Sequence, residues 1–157
     1  MNNIGARFAV LSLIAGLAVL TTAQAQEKKL KREELPPAVE ITVSEQSQGA
    51  TIKGFSTELD KGKKLYEVEL TVNGHHKDIS MDKDGKIVEV EEEVAMDSLS
   101  PEVKAGLTKA AGSGTITIVE SLRKGGKLVA YEASVKNGTK HSEVQVGPNG
   151  EKLAHEE

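Results

Sequence analysis

The chain has 157 residues, 20 Lys and Arg against 24 Asp and Glu, and no Cys. That length suits one domain, or two small units sharing a core. The acidic balance argues against nucleic acid as a partner. The missing Cys excludes disulfides and thiol chemistry, and an aromatic content of 3% leaves aliphatic side chains to fill the interior.

Residues 1–25 read as a signal peptide. Met1 to Arg7 is a weakly basic lead, Phe8 to Leu20 is an apolar run, and Ala23-Gln24-Ala25 is a small-x-small cleavage signature. The run is shorter than the ~20 apolar residues a spanning helix needs. No Cys follows it to carry a lipid. The sequence therefore predicts an exported protein, periplasmic or secreted, with no stable membrane insertion after cleavage. Residues 26–34, with Lys28, Lys29, Lys31, Arg32, Glu33 and Glu34, read as a charged linker.

From Leu35 onward two similar units follow, 35–97 and 98–157. Tyr66-Glu67 returns as Tyr131-Glu132, and the same shift of 65 carries His76 onto His141 and Gly85 onto Gly150. The second unit opens on a clear helix. Ser100 suits the N-cap, Pro101 the first turn, Val103, Leu107 and Ala110 follow at helical spacing, and Gly112 ends it. In the first unit Val39, Ile41 and Val43 alternate as a strand would. The match of Leu35-Pro36-Pro37 to Leu99-Ser100-Pro101 favours a helix there too.

Strands are predicted over Thr51–Leu59, Leu65–Val72, His75–Met81 and Ile87–Val94, and over Thr115–Leu122, Leu128–Lys136, Lys140–Val146 and Lys152–His155. The turn signals between them are Asp60-Lys61-Gly62, Asn73-Gly74, Asp84-Gly85, Lys124-Gly125-Gly126, Asn137-Gly138 and Pro148-Asn149-Gly150. Closing on Asn73-Gly74 sets Val68 opposite Ile79 and Tyr66 opposite Met81, an apolar face for a helix to cover. The fold class is α+β: two tandem units of helix plus antiparallel meander, forming a continuous or paired antiparallel sheet with helices on one face.

Leu35-Pro36, Ala50-Thr51-Ile52, the Lys/Gly turn, the Tyr66-Glu67-Val68 strand and Asp82-Lys83-Asp84-Gly85-Lys86 together resemble the PepSY-like family, in its β-lactamase-inhibitor-like branch. The resemblance covers both units. It implies exported, non-enzymatic proteins that grip a protein on a concave sheet, with a peptidase or another envelope enzyme as the expected partner, and it brings no catalytic residue and no cofactor.

The candidate binding residues lie on the face turned away from the apolar one: Glu67, Glu69, His76, Asp78, Glu132, His141 and Glu143. His76 and His141 match between the units without an obvious need of the fold. A cation-binding or cation-responsive protein is the alternative. Asp82, Asp84 and Glu91 occupy three positions of an EF-hand-like loop, although Ser80 takes the first and strands flank it. An Asp-Gly hairpin turn explains the same residues. Glu89 to Glu93 read as a solvated edge strand guarded by charge. No nucleophile elbow and no His-Glu-x-x-His is present, so hydrolysis has no candidate machinery.

Overall fold

A computed structural model describes residues 28–155 and 157, so the expected signal peptide lies outside the described residues. Eight strands form one antiparallel sheet in simple sequence order: β1 (Lys28–Leu30), β2 (Thr51–Asp60), β3 (Lys63–Val72), β4 (His75–Met81), β5 (Ile87–Glu93), β6 (Thr115–Lys124), β7 (Lys127–Asn137) and β8 (Lys140–Val146). Helix α1 (Pro37–Gln46) precedes β2, and α2 (Pro101–Ala111) precedes β6. The fold is α+β, and β5 pairs with β6, so the sheet is continuous.

A proline in the first turn starts both helices, and a side-chain cap adds to it at α2. Ser100 Oγ accepts a hydrogen bond from the Val103 N–H at 3.3 Å, and Pro101 sits in the first turn, where its missing N–H costs nothing. Helix α1 lacks such a cap, but its interior sequence is anchored by burial. Val39 and Val43 are fully buried against Val68, Leu70, Ile79 and Met81, whereas Ile41 is 61% exposed. The strand-like alternation of Val39, Ile41 and Val43 therefore resolves as a helix with one apolar residue facing water. Replacing Val39 by Ala should cost about 2 kcal/mol, and replacing Ile41 by Ala less than about 0.5 kcal/mol. Chemical denaturation of the two variants checks this. Val103 and Leu107 of α2, with Leu99 just before it, pack on Val119, Ala133 and Val146.

The hairpin register follows the turn chemistry. Val68 pairs with Ile79 and Tyr66 with Met81, as Asn73-Gly74 predicts. In the β7–β8 hairpin the loop is Gly138-Thr139, one residue beyond the predicted Asn137-Gly138. The pairing shifts by two and each residue keeps its face, because the side-chain period is two.

Three expectations change. Part of the segment read as a charged linker is ordered: Lys28–Leu30 pairs with Phe55–Thr57, and Leu30 packs on the core beside α1. The expected strand Lys152–His155 is reduced to a single bridge between Val146 and Lys152. The tight turn before it, closed by Gly147 N–H to Glu151 O at 2.8 Å, brings the chain back, but little apolar surface follows to hold a longer ladder. Finally, Glu89 to Glu93 do not form an edge. β5 is central, paired with β4 on one side and β6 on the other.

Candidate functional site: the open face of the sheet

The helices cover one face, and the ladders sort the other strand by strand. β2 contributes Glu58 and Asp60, β3 Glu67 and Glu69, and β4 Asp78. β5 contributes Glu89, Glu91 and Glu93, β6 Glu120, β7 Glu132 and β8 Glu143. Eleven carboxylates therefore share one surface. Most are half-buried.

Apolar side chains that no helix covers are buried on this face, so the sheet curls toward it: Leu65, Leu122 and Ala130 lie there at 5%, 1% and 0% exposure. Glu58 on β2 feels the charges of Glu89 on β5 and Lys124 on β6. Glu120 on β6 feels Asp78 on β4 and Glu143 on β8.

This geometry explains the electrostatics. Glu91 is paired across the strands with Asp78 on one side and Leu122 on the other. Burial and then the nearby charges of Glu132, Glu89 and Glu120 push its carboxyl up to about 9. Burial first, and then Glu69, raise Asp78. Burial first, and then Asp78, raise Glu120, with His76 pulling the other way. Burial and then Glu89 raise Glu58. One carboxylate oxygen from each of Glu91, Glu120 and Glu132 lies within 4.8 Å of the other two. Some neighbours are compensated: Lys124 reaches Glu89 at 3.1 Å, Gln145 donates to Glu132 at 2.6 Å, and the Ser56 hydroxyl donates to Glu67 at 3.3 Å.

Each residue named from the sequence has a place here. Glu67, Glu69, Asp78, Glu132 and Glu143 lie on the open face, with Glu69 opposite Asp78. His76 and His141 share that face at its exposed ends, His141 opposite Lys136. The His76 backbone N–H donates to Glu93 Oε2 at 2.9 Å, and His75 Nδ1 lies 3.4 Å from Glu93 Oε1. The EF-hand-like set is used differently. Asp82 Oδ1 accepts the N–H groups of Asp84 and Lys86 at 2.9 and 3.1 Å, closing the turn, and Asp84 pairs with Lys83 at 2.7 Å. Glu91 belongs instead to the trio with Glu120 and Glu132. Glu58, Glu89, Glu120 and the apolar floor escaped the sequence reading. Joining β5 to β6 would have placed Glu89, Glu120 and Leu122 on this face.

No family model matches the chain, and no curated protein matches it. Solved structures do share its fold. A candidate periplasmic protein from Bacteroides eggerthii has a TM-score of 0.60 at 17% identity, covering 76% of this chain and 86% of its own. A DUF2874 family protein from Bacteroides ovatus has a TM-score of 0.57 at 18% identity, covering 76% and 84%. A BLIP-like protein from Bacteroides fragilis has a TM-score of 0.52 at 20% identity, covering 74% and 81%. None of the three is described as an enzyme. Among the described residues no helix is long and apolar enough to cross a membrane.

Proposed function

We propose that this chain is an exported, non-catalytic binding protein whose open sheet face takes a protein or peptide. One observation carries the reading: a sheet face left uncovered by both helices, curled into a trough, with half-buried carboxylates over a floor of Leu65, Leu122 and Ala130. A protein surface of that kind is costly to maintain and typical of recognition sites. The candidate periplasmic neighbour and the BLIP-like neighbour support an envelope location and a binding role. The reading includes two tandem PepSY-like units, 35–97 and 98–157. Its support is that α1 meets the turn at Gly85 and α2 meets the turn at Gly150 in the same manner.

The test is capture from an envelope extract with tagged protein, run beside a Glu69→Lys/Glu143→Lys variant. The expected result is at least a tenfold loss of the captured partner in the variant. A partner retained equally by both proteins would place the binding surface elsewhere. If the partner is a peptidase or a β-lactamase, adding the protein should also lower its turnover.

A second reading, a cation-responsive protein, is favoured by the spacing of Glu91, Glu120 and Glu132. Calorimetry with calcium, zinc and copper decides it. No heat and no change in melting temperature at about millimolar metal would remove it.

A further inference from the structure

The acid on the open face is arranged in rows that the fold does not need. Glu69, Asp78 and Glu91 stand opposite one another across β3, β4 and β5. Glu93, Glu120 and Glu132 do the same across β5, β6 and β7. Like charges directly opposed across strands destabilise a sheet. A surface shaped for stability alone would alternate their signs. The lysines of this face stand at its margins instead. Lys29 lies on the edge strand β1, and Lys63, Lys124, Lys127 and Lys136 stand close to hairpin turns. The centre thus gathers carboxyl groups, with Glu91 holding its proton up to about 9 until a cation displaces it, although the chain as a whole carries only −4.

We propose that the occupant of this face is an extended protein segment rich in Lys or Arg, lying across the strands with its cationic side chains along the two acid rows. The inference rests on the reading of the open face as the binding surface and adds the chemistry of the partner. Cross-strand neighbours in each row are spaced by about 5 Å. Alternate side chains of an extended segment recur about every 6.6 Å, within reach of long flexible cationic stems. The aliphatic stems of Lys and Arg would lie on Leu65, Leu122 and Ala130, and their heads would meet the carboxylates. The basic margin limits a bound segment to the central strands. Nucleic acid and anionic lipid carry the wrong sign for this trough.

The probe is a peptide of roughly ten residues that alternates lysine with glycine, titrated calorimetrically at about 50 mM and about 300 mM salt. A peptide with glutamate in place of lysine serves as its counterpart. The lysine peptide should bind and weaken at least about tenfold at the higher salt, while the glutamate peptide should give no heat. A Glu69→Gln/Glu120→Gln variant should bind at least about tenfold more weakly while melting no lower than the parent. Glu45→Gln, on the exposed side of α1, should bind as the parent does. Absence of lysine-peptide binding, or equal binding to the double variant, overturns the proposal. Calcium that binds alone and excludes the peptide also overturns it, giving the face to a metal. Hydrogen exchange on a captured natural partner separates this idea from the one beneath it. Protection of β3–β7 that survives high salt overturns the cationic occupant and leaves the binding face standing. Protection only elsewhere overturns both.

Discussion

Acidification from about pH 8.5 to about pH 5.5 is expected to raise the melting temperature of this protein by about 10 °C. Glu91 holds its proton in the folded state up to about 9, against an ordinary value of 4.5. Between those values the folded chain binds more protons than the unfolded chain. Protons therefore favour folding. The stabilisation is complete below pH 4.5 and is lost as the pH rises through about 9. Glu58, Asp78 and Glu120 are raised as well and add the same sign. Water reaching these half-exposed groups weakens the effect, leaving about 2–3 kcal/mol across the range. Glu40, held down by the Arg32 guanidinium, and Glu93, held down by the His76 backbone N–H, act in the opposite sense below their unfolded value. The stability maximum should accordingly fall near pH 5. A Glu91→Gln variant should melt higher than the parent at about pH 8.5 and show a flatter pH dependence. A parent melting temperature that falls on acidification through this range would refute the account. The same protons compete with any cationic group on the open face, so a basic ligand should bind more tightly as the pH rises.

The helix-facing half of this sheet was legible in the sequence because its rule is local. Asn73-Gly74 fixes one register, period two sorts the faces, and Ser100-Pro101 starts a helix. The hidden part depends on long-range pairing. Glu91 reads as a solvated acid until β6 is laid beside β5, which puts Leu122 against it and brings Glu120 and Glu132 close. No alternation within one strand can announce that. His76 and His141 drew notice because they match across the chain, yet both sit at exposed strand ends. The matched histidines mark shared geometry. The trough combines acids that match between the units, Glu67 with Glu132 and Asp78 with Glu143, with others such as Glu89 and Glu120 that have no acidic counterpart. Ile41 teaches the converse lesson. Its β-branched alternation with Val39 and Val43 was locally persuasive, and the burial of the two valines on β3 and β4 overrode it.

Gly85→Ala and Gly150→Ala should each cost about 3 kcal/mol, while Gly74→Ala should cost only about 1 kcal/mol. All three glycines have positive φ, +76°, +80° and +90° respectively. Alanine at any of them is strained. Only the first two also face backbone. A Cβ at Gly85 would strike the Ala38 carbonyl, and one at Gly150 would strike the Glu102 carbonyl, whereas space around Gly74 is open. Thr42 Oγ1 donates to the Gly85 carbonyl at 2.8 Å, which fixes how closely that turn sits on α1. Gly106 on α2 leaves matching room for Gly150. The difference between the variants therefore measures how helix and turn dock, apart from backbone strain. It also separates two meanings of the Asp82-Lys83-Asp84-Gly85 sequence. An EF-hand-like loop needs its glycine to wrap a cation, so the loss on Gly85→Ala would grow when calcium is present. The docking argument needs the glycine for close approach to α1, so the loss should be the same in chelator and in about millimolar calcium. Urea denaturation of parent and variant under both conditions reads this directly. A calcium-dependent loss at Gly85 would return the turn to metal binding and take the explanation away from the helix.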